Sequence, residues 1–242
     1  YRNTRRTNYN PCGSPNYDVS GISSAMNMET NNLSLSLNGS VILSNITFTI
    51  PIESLTTIIG PNGSGKSSLL KVFTDEIQNY TGQATKIPVK DITYLPQSLD
   101  SPPFLTIYEI VSLGFNGRKM NKKTKAQCAY HLMEICGVDS ISSKNIADVS
   151  EGEKQRTWFA FALAQEKNTI MLDEPLSNID EQGKKTFSKI LRELADEGKT
   201  VIVVSHDGDS LEASDHIIHL DEGNISFQGP VSKYRQFLLH HK

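Results

Sequence analysis

Residues 60–67 read Gly60-Pro61-Asn62-Gly63-Ser64-Gly65-Lys66-Ser67, the spacing of a loop that grips a phosphate chain. Gly60, Gly63 and Gly65 let the backbone curl so that successive N–H groups aim at one anion. Ser68-Leu69-Leu70-Lys71-Val72-Phe73 then begins a helix, whose positive N-terminal end adds to the same pull. Lys66 is placed to reach the outer phosphates, and the Ser67 hydroxyl to ligate Mg²⁺, with Ser68 beside it. The chain is therefore expected to bind a nucleoside triphosphate with Mg²⁺.

A second chemical signal is Met171-Leu172-Asp173-Glu174-Pro175. An apolar strand that ends in two adjacent carboxylates is costly unless cations or water meet them in a site. Asp173 is expected to complete the Mg²⁺ sphere opposite Ser67, and Glu174 to polarise the attacking water.

The elements that must position these residues are legible. Leu55-Thr56-Thr57-Ile58-Ile59 reads as a buried strand leading into the loop. Thr169-Ile170-Met171-Leu172 and Val201-Ile202-Val203-Val204 are continuous apolar runs, as strands of a parallel sheet covered on both faces should be. Between them Phe187, Ile190, Leu191 and Leu194 mark the core face of a helix that Gly198 closes. Earlier, Leu33, Leu35 and Leu37 alternate with serines, Asn38-Gly39 signals a hairpin, and Ile46, Phe48 and Ile50 alternate again. Leu105, Ile107, Ile110, Val111, then Ala129, Leu132, Met133 and Cys136 fall at helical spacing, which makes Cys136 a core residue. Arg118-Lys119-Met120-Asn121-Lys122-Lys123-Thr124-Lys125 between them reads as a solvated loop. Ser150 suits a helix N-cap, and Glu153 completes a capping box for a helix running to about Gln165.

Taken in order, these motifs resemble those of the ATP-binding-cassette (ABC) ATPase family, over about residues 30 to 237. The resemblance implies an α/β fold: a P-loop NTPase (RecA-like) mixed sheet core, an N-terminal antiparallel β subdomain and an inserted helical subdomain at about 98–160. Residues 29–242 would form a single domain. Residues 1–28, rich in Arg, Asn and Ser, are expected to be a disordered leader or tag-like segment. Asp148-Val149-Ser150-Glu151-Gly152-Glu153-Lys154-Gln155-Arg156 stands where the family has its signature sequence. Ser150, Gly152 and Glu153 would then face the ATP held by a second copy. Leu95-Pro96-Gln97 is similar to the Q-loop, with Gln97 touching Mg²⁺ or the attacking water. Val204-Ser205-His206-Asp207 is similar to the switch region, with His206 on the γ-phosphate. Ser177-Asn178-Ile179-Asp180 matches the D-loop, which crosses the dimer interface. Lys66, Gln97, Glu174 and His206 form the implied catalytic set, and Ser67, Gln97 and Asp173 the implied metal set.

Some positions depart from the family pattern. Leu37 stands where an aromatic residue usually stacks on adenine, which weakens the expected base contact. Glu151 replaces a signature glycine, near an anionic ligand or turned to solvent. Ser68 stands where Thr is commoner.

One set of motifs implies a homodimer in which each chain completes the other's site. The short stretch from Lys66 to Gln97 resembles zinc and manganese importer cassettes. Glu109-Ile110-Val111-Ser112-Leu113-Gly114 and the 150–155 segment resemble these and siderophore or haem importer cassettes. The implied role is to energise import of a metal ion or metal chelate from the cytoplasmic face of the cell membrane. Integral permease subunits and a substrate-binding protein are the implied partners. A soluble ABC-type ATPase acting in assembly, and a nucleotide-binding regulator of weak turnover, are the alternatives.

Bulk properties agree. With 37% hydrophobic and 21% charged residues, the chain reads as a globular protein with a real core. The net charge of −3 argues against nucleic-acid binding. The apolar run from Trp158 to Ala164 is far too short to span a membrane. The cysteines, Cys12, Cys128 and Cys136, form no C-x-x-C pair and have no histidines at ligand spacing.

Overall fold

The computed structural model describes residues 27–99, 102–206 and 208–240, so all but the end of the expected leader lies outside the described residues. Strands β1 (Met28–Leu37) and β2 (Ser40–Ile50) form an antiparallel hairpin, and β3 (Leu55–Ile59) leads through the glycine loop into α1 (Lys66–Phe73). Next come β4 (Thr81–Ala84), β5 (Ile92–Leu95), α2 (Ile107–Leu113), α3 (Lys122–Ile135) and α4 (Glu151–Ala164). The chain ends β6 (Thr169–Asp173), α5 (Glu181–Asp196), β7 (Thr200–Ser205), β8 (His216–Asp221), β9 (Asn224–Pro230) and α6 (Val231–His240).

The hairpin turn Asn38-Gly39 has positive φ at both residues, 51° and 82°, as a tight turn matched to strand twist requires. The strands form two sheets, ordered β2-β1-β4 and β5-β6-β7-β3-β8-β9. In the second sheet β5, β6, β7, β3 and β8 run parallel, and β9 closes one edge antiparallel. This mixed α/β architecture is the one expected from the sequence.

Both faces of the large sheet are covered, which is why its central strands have no polar alternation. Leu55, Leu172, Val201 and Val203 point to one core, filled by α2, α3, α4 and α5. Ile58, Met171, Ile202 and Val204 point to the other, filled by α1 and the β1–β2 hairpin. The helical layer is locked to the sheet where Phe159 of α4 stacks on Phe187 of α5, ring centroids 4.1 Å apart.

Two sequence expectations meet the structure differently. Cys136 is a core residue as read; it is buried, and burial pushes its thiol up to about 12. The 118–125 cluster is not a solvated loop throughout. Its second half is the first turn of α3, capped by Asn121, whose side chain accepts from the Thr124 N–H at 2.8 Å. Arg118 is drawn inward: it pairs with Glu166 at 2.7 Å, donates to the Ala164 carbonyl at 3.2 Å and lies over the Phe115 ring. A charge run hides this, because the sequence does not show that Arg118 finds a carboxylate and an aromatic face.

Candidate active site

The register of the parallel strands assembles the site. Ile59 pairs with Ser205, Val204 with Asp173 and Leu172 with Leu95. The glycine loop, the Asp173-Glu174 pair, His206 and the segment leading to Gln97 therefore leave the sheet side by side at its carboxyl edge. Ligands of open α/β sheets collect at that edge.

The loop begins at Gly60, which approaches β8 so closely that a Cβ would lie 1.9 Å from the Leu220 carbonyl oxygen. Gly65, the residue before α1, has φ 99° and ψ 4° and leans on β2, where a Cβ would meet Leu43 Cδ2 at 2.5 Å and the Ile42 oxygen at 2.9 Å. Gly65 offers α1 no side-chain cap, which leaves the first N–H groups of the helix for an anion. The same contact sets β2 against the loop, and Leu37, which pairs with Ser40 at the hairpin end, is 37% exposed.

Lys66 is buried, with its Nζ donating to the Gly60 and Pro61 carbonyls at 2.8 Å each. Burial lowers its pKa, while the charges of Glu174 and Asp173 pull it back up. Its ammonium thus rests in the hollow of the loop that the phosphates would fill.

Asp173 is 3% exposed. Burial pushes its carboxyl above the usual range and the charge of Glu174 adds to this, against a hydrogen bond from Ser67 and the charges of Lys66 and Lys71. Its Oδ1 is buried without a hydrogen-bond partner, and so is the Ser64 hydroxyl in the loop. Unmet polar atoms in such a place mark where a ligand completes the site.

Glu174 follows with φ 50°, in the left-handed region that a non-glycine residue rarely occupies, and its N–H donates to the Val204 carbonyl at 3.0 Å. Its Oε2 accepts from Gln97 Nε2 at 2.9 Å and lies 3.4 Å from His206 Nδ1. The structure thus brings Lys66, Ser67, Asp173, Glu174, Gln97 and His206 together, with Gln97 bonded to Glu174.

The signature residues begin α4, where Glu151, Lys154 and Gln155 line one cleft with Gln97, Asp173 and Glu174. Ser150 and Glu153 form the reciprocal capping box: the Ser150 hydroxyl and N–H donate to Glu153 Oε2 at 2.7 and 2.8 Å, and the Glu153 N–H to Ser150 Oγ at 3.3 Å. Those hydrogen bonds hold the Glu153 carboxyl below its ordinary range. Glu151 is exposed and pairs with Lys154 at 2.7 Å.

Sequence reasoning missed two residues. The Tyr94 hydroxyl is buried without a hydrogen-bond partner, and burial, with Asp173 and Glu76 nearby, pushes its pKa up. Tyr94 pairs with Met171, so it shares the face of Asp173, two residues on; strand pairing, not visible in one sequence, was the signal. Gln155 contacts Ser177 and Asn178. Gly152, Gln155 and Phe159 fall on one helical face, but which turn that face meets is set by the fold.

Among the described residues no helix is long and apolar enough to cross a membrane. A family model described as ABC transporter matches residues 43–177. A manganese transport system ATP-binding protein of Listeria innocua is 34% identical over 220 residues, which cover 85% of this chain and 91% of that protein. A zinc import ATP-binding protein of Saccharophagus degradans is 34% identical over 220 residues, covering 87% and 83%. Among solved structures, a dimeric bacterial ABC transporter cassette shares the fold with a TM-score of 0.75 at 24% identity, over 84% of this chain and 98% of that one. The chain belongs to the ABC transporter ATP-binding family and is an ABC-type ATPase.

Proposed function

We propose that the chain is the ATP-hydrolysing subunit of an importer for a metal ion or metal chelate, working as a homodimer on the cytoplasmic face of the membrane. Permease subunits and a substrate-binding protein complete the system in this reading. The observation that carries the ATPase part is the convergence of Lys66, Asp173, Glu174, Gln97 and His206 on the carboxyl edge of one parallel sheet. The substrate class rests on the relatives, which are named for manganese and zinc transport.

The residues present fit a Mg²⁺ ion: Asp173 keeps a buried oxygen unpaired and takes a hydrogen bond from Ser67, so two hard oxygen donors face one point. Ser67 and Asp173 would hold the ion, with Gln97 joining once released. Bound there, Mg²⁺ would neutralise phosphate charge. The N–H groups from Asn62 to Ser68 would cradle the phosphates, and Lys66 would turn from the Gly60 and Pro61 carbonyls to their outer oxygens. Glu174, freed from Gln97, would accept a proton from the attacking water while His206 contacts the γ-phosphate. Ser150, Gly152 and Glu153 of each chain would close over the ATP of the other. Positioning and charge neutralisation do most of the work in such a reaction.

The test is to tag the chain at its C-terminus, isolate it from gently solubilised native membranes and identify what accompanies it. A multi-span permease at a one-to-one ratio is the expected result. Recovery only with soluble partners would overturn the transport reading in favour of an assembly ATPase.

A further inference from the structure

In the same chain α4 and the turn after Glu174 are joined by one side chain. Gln155 Nε2 donates to Ser177 Oγ at 2.9 Å, and Gln155 Oε1 accepts from the Asn178 N–H at 3.2 Å. One turn earlier Gly152 lies so close that a Cβ would stand 2.7 Å from the Asn178 carbonyl oxygen. On the inner side of the turn, Leu176 and Ile179 are buried in the core that also holds Phe159 of α4. The turn is tied back to the base as well, because the Ser177 N–H reaches the Glu174 carbonyl at 3.4 Å.

We infer that Gln155 is a positioning residue for hydrolysis: it fixes the Ser177-Asn178 turn, and through it Glu174, to the Ser150–Gly152 end of α4. The consequence follows from what each end does. The start of α4 faces the nucleotide of the second copy, whereas Glu174 serves the nucleotide of its own chain. Gln155 therefore couples closure on one ATP to the setting of the base at the other. Glu174 needs such support, since its backbone sits at φ 50° and relaxes if the turn behind it loosens. The inference rests on the two-chain ATPase reading proposed above.

Steady-state ATPase kinetics of the full chain test it. Gln155→Leu leaves an apolar side chain one atom shorter and removes both hydrogen bonds. Its kcat should fall about tenfold, the factor that one or two neutral hydrogen bonds are worth, with KM within about twofold. Gln155→Glu should restore most of the rate, because a carboxylate accepts from both the Ser177 hydroxyl and the Asn178 N–H. Ser177→Ala should cost less, and adding it to Gln155→Leu should cost almost nothing more, as partners in one contact behave. An unchanged kcat overturns the inference, as does a Gln155→Glu variant as slow as Gln155→Leu. So does a KM that rises in step with the loss, which marks a folding or binding defect. If Gln155→Leu does not fold, Ser177→Ala against wild type decides the same question. A wild-type chain without ATP-dependent dimerisation would instead overturn the two-chain reading, a separate result.

Discussion

Replacing Gly65 by alanine should destabilise the nucleotide-free chain far more than the same change at Gly63, two residues earlier in the same loop. Both glycines have positive φ, 99° and 80°, so each substitution forces an L-residue into a left-handed conformation at a cost of about 1–2 kcal/mol. Around Gly63 a new Cβ meets nothing within 4 Å. At Gly65 it meets Leu43 Cδ2 at 2.5 Å and the Ile42 carbonyl oxygen at 2.9 Å, and that backbone oxygen cannot rotate away. Such overpacking adds about 1–3 kcal/mol, for a total near 2–5 kcal/mol. In a domain of this size 1 kcal/mol moves Tm by roughly 2–4 °C. Gly63→Ala should therefore lower Tm by a few degrees and Gly65→Ala by at least twice as much, read by calorimetry without nucleotide. Equal shifts would refute the packing of the loop against β2, and with it the placement of the Leu37 hairpin.

Removing the charge of Asp173 should have the opposite sign. Burial raises its carboxyl in the folded state above the unfolded value, so the ionised form costs stability at neutral pH, a cost that fades as pH falls through the carboxylate range. Asp173→Asn should raise Tm by ~2–4 °C at pH 7, with the gain shrinking on acidification, while ATP turnover is lost. A Tm that falls, or a gain that grows on acidification, would contradict this. Leu37→Tyr should tighten ATP binding about tenfold, since stacking a base on an aromatic ring is worth ~1–3 kcal/mol. Unchanged affinity in a fluorescent-nucleotide titration would remove Leu37 from the base contact.

Much of this was legible in the sequence because the chemistry dictates local pattern. Glycines at 60, 63 and 65 answer to close backbone approach and positive φ, and each kind of demand leaves one residue type. The apolar runs of β3, β6 and β7 could be read as doubly covered strands. The capping box at Ser150 and Glu153 needed only four residues. Contacts made across the fold were not legible. Arg118 finds Glu166, Tyr94 shares a face with Asp173, and Gln155 meets Ser177 only because the start of α4 packs on the turn after β6. Nor could the sequence tell that Gln97 and His206 both turn to Glu174, since that depends on side-chain direction at the sheet edge.

The central claim is that Glu174 is the base of a two-chain ATPase, and Glu174→Gln tests it most directly. The amide keeps the shape of the site but cannot take a proton from water. With ATP and Mg²⁺ the variant should form a stable dimer by light scattering, while turnover falls at least a hundredfold, the scale of a lost general base. A variant that hydrolyses ATP at near the wild-type rate, or one that binds ATP and stays monomeric, would contradict the account.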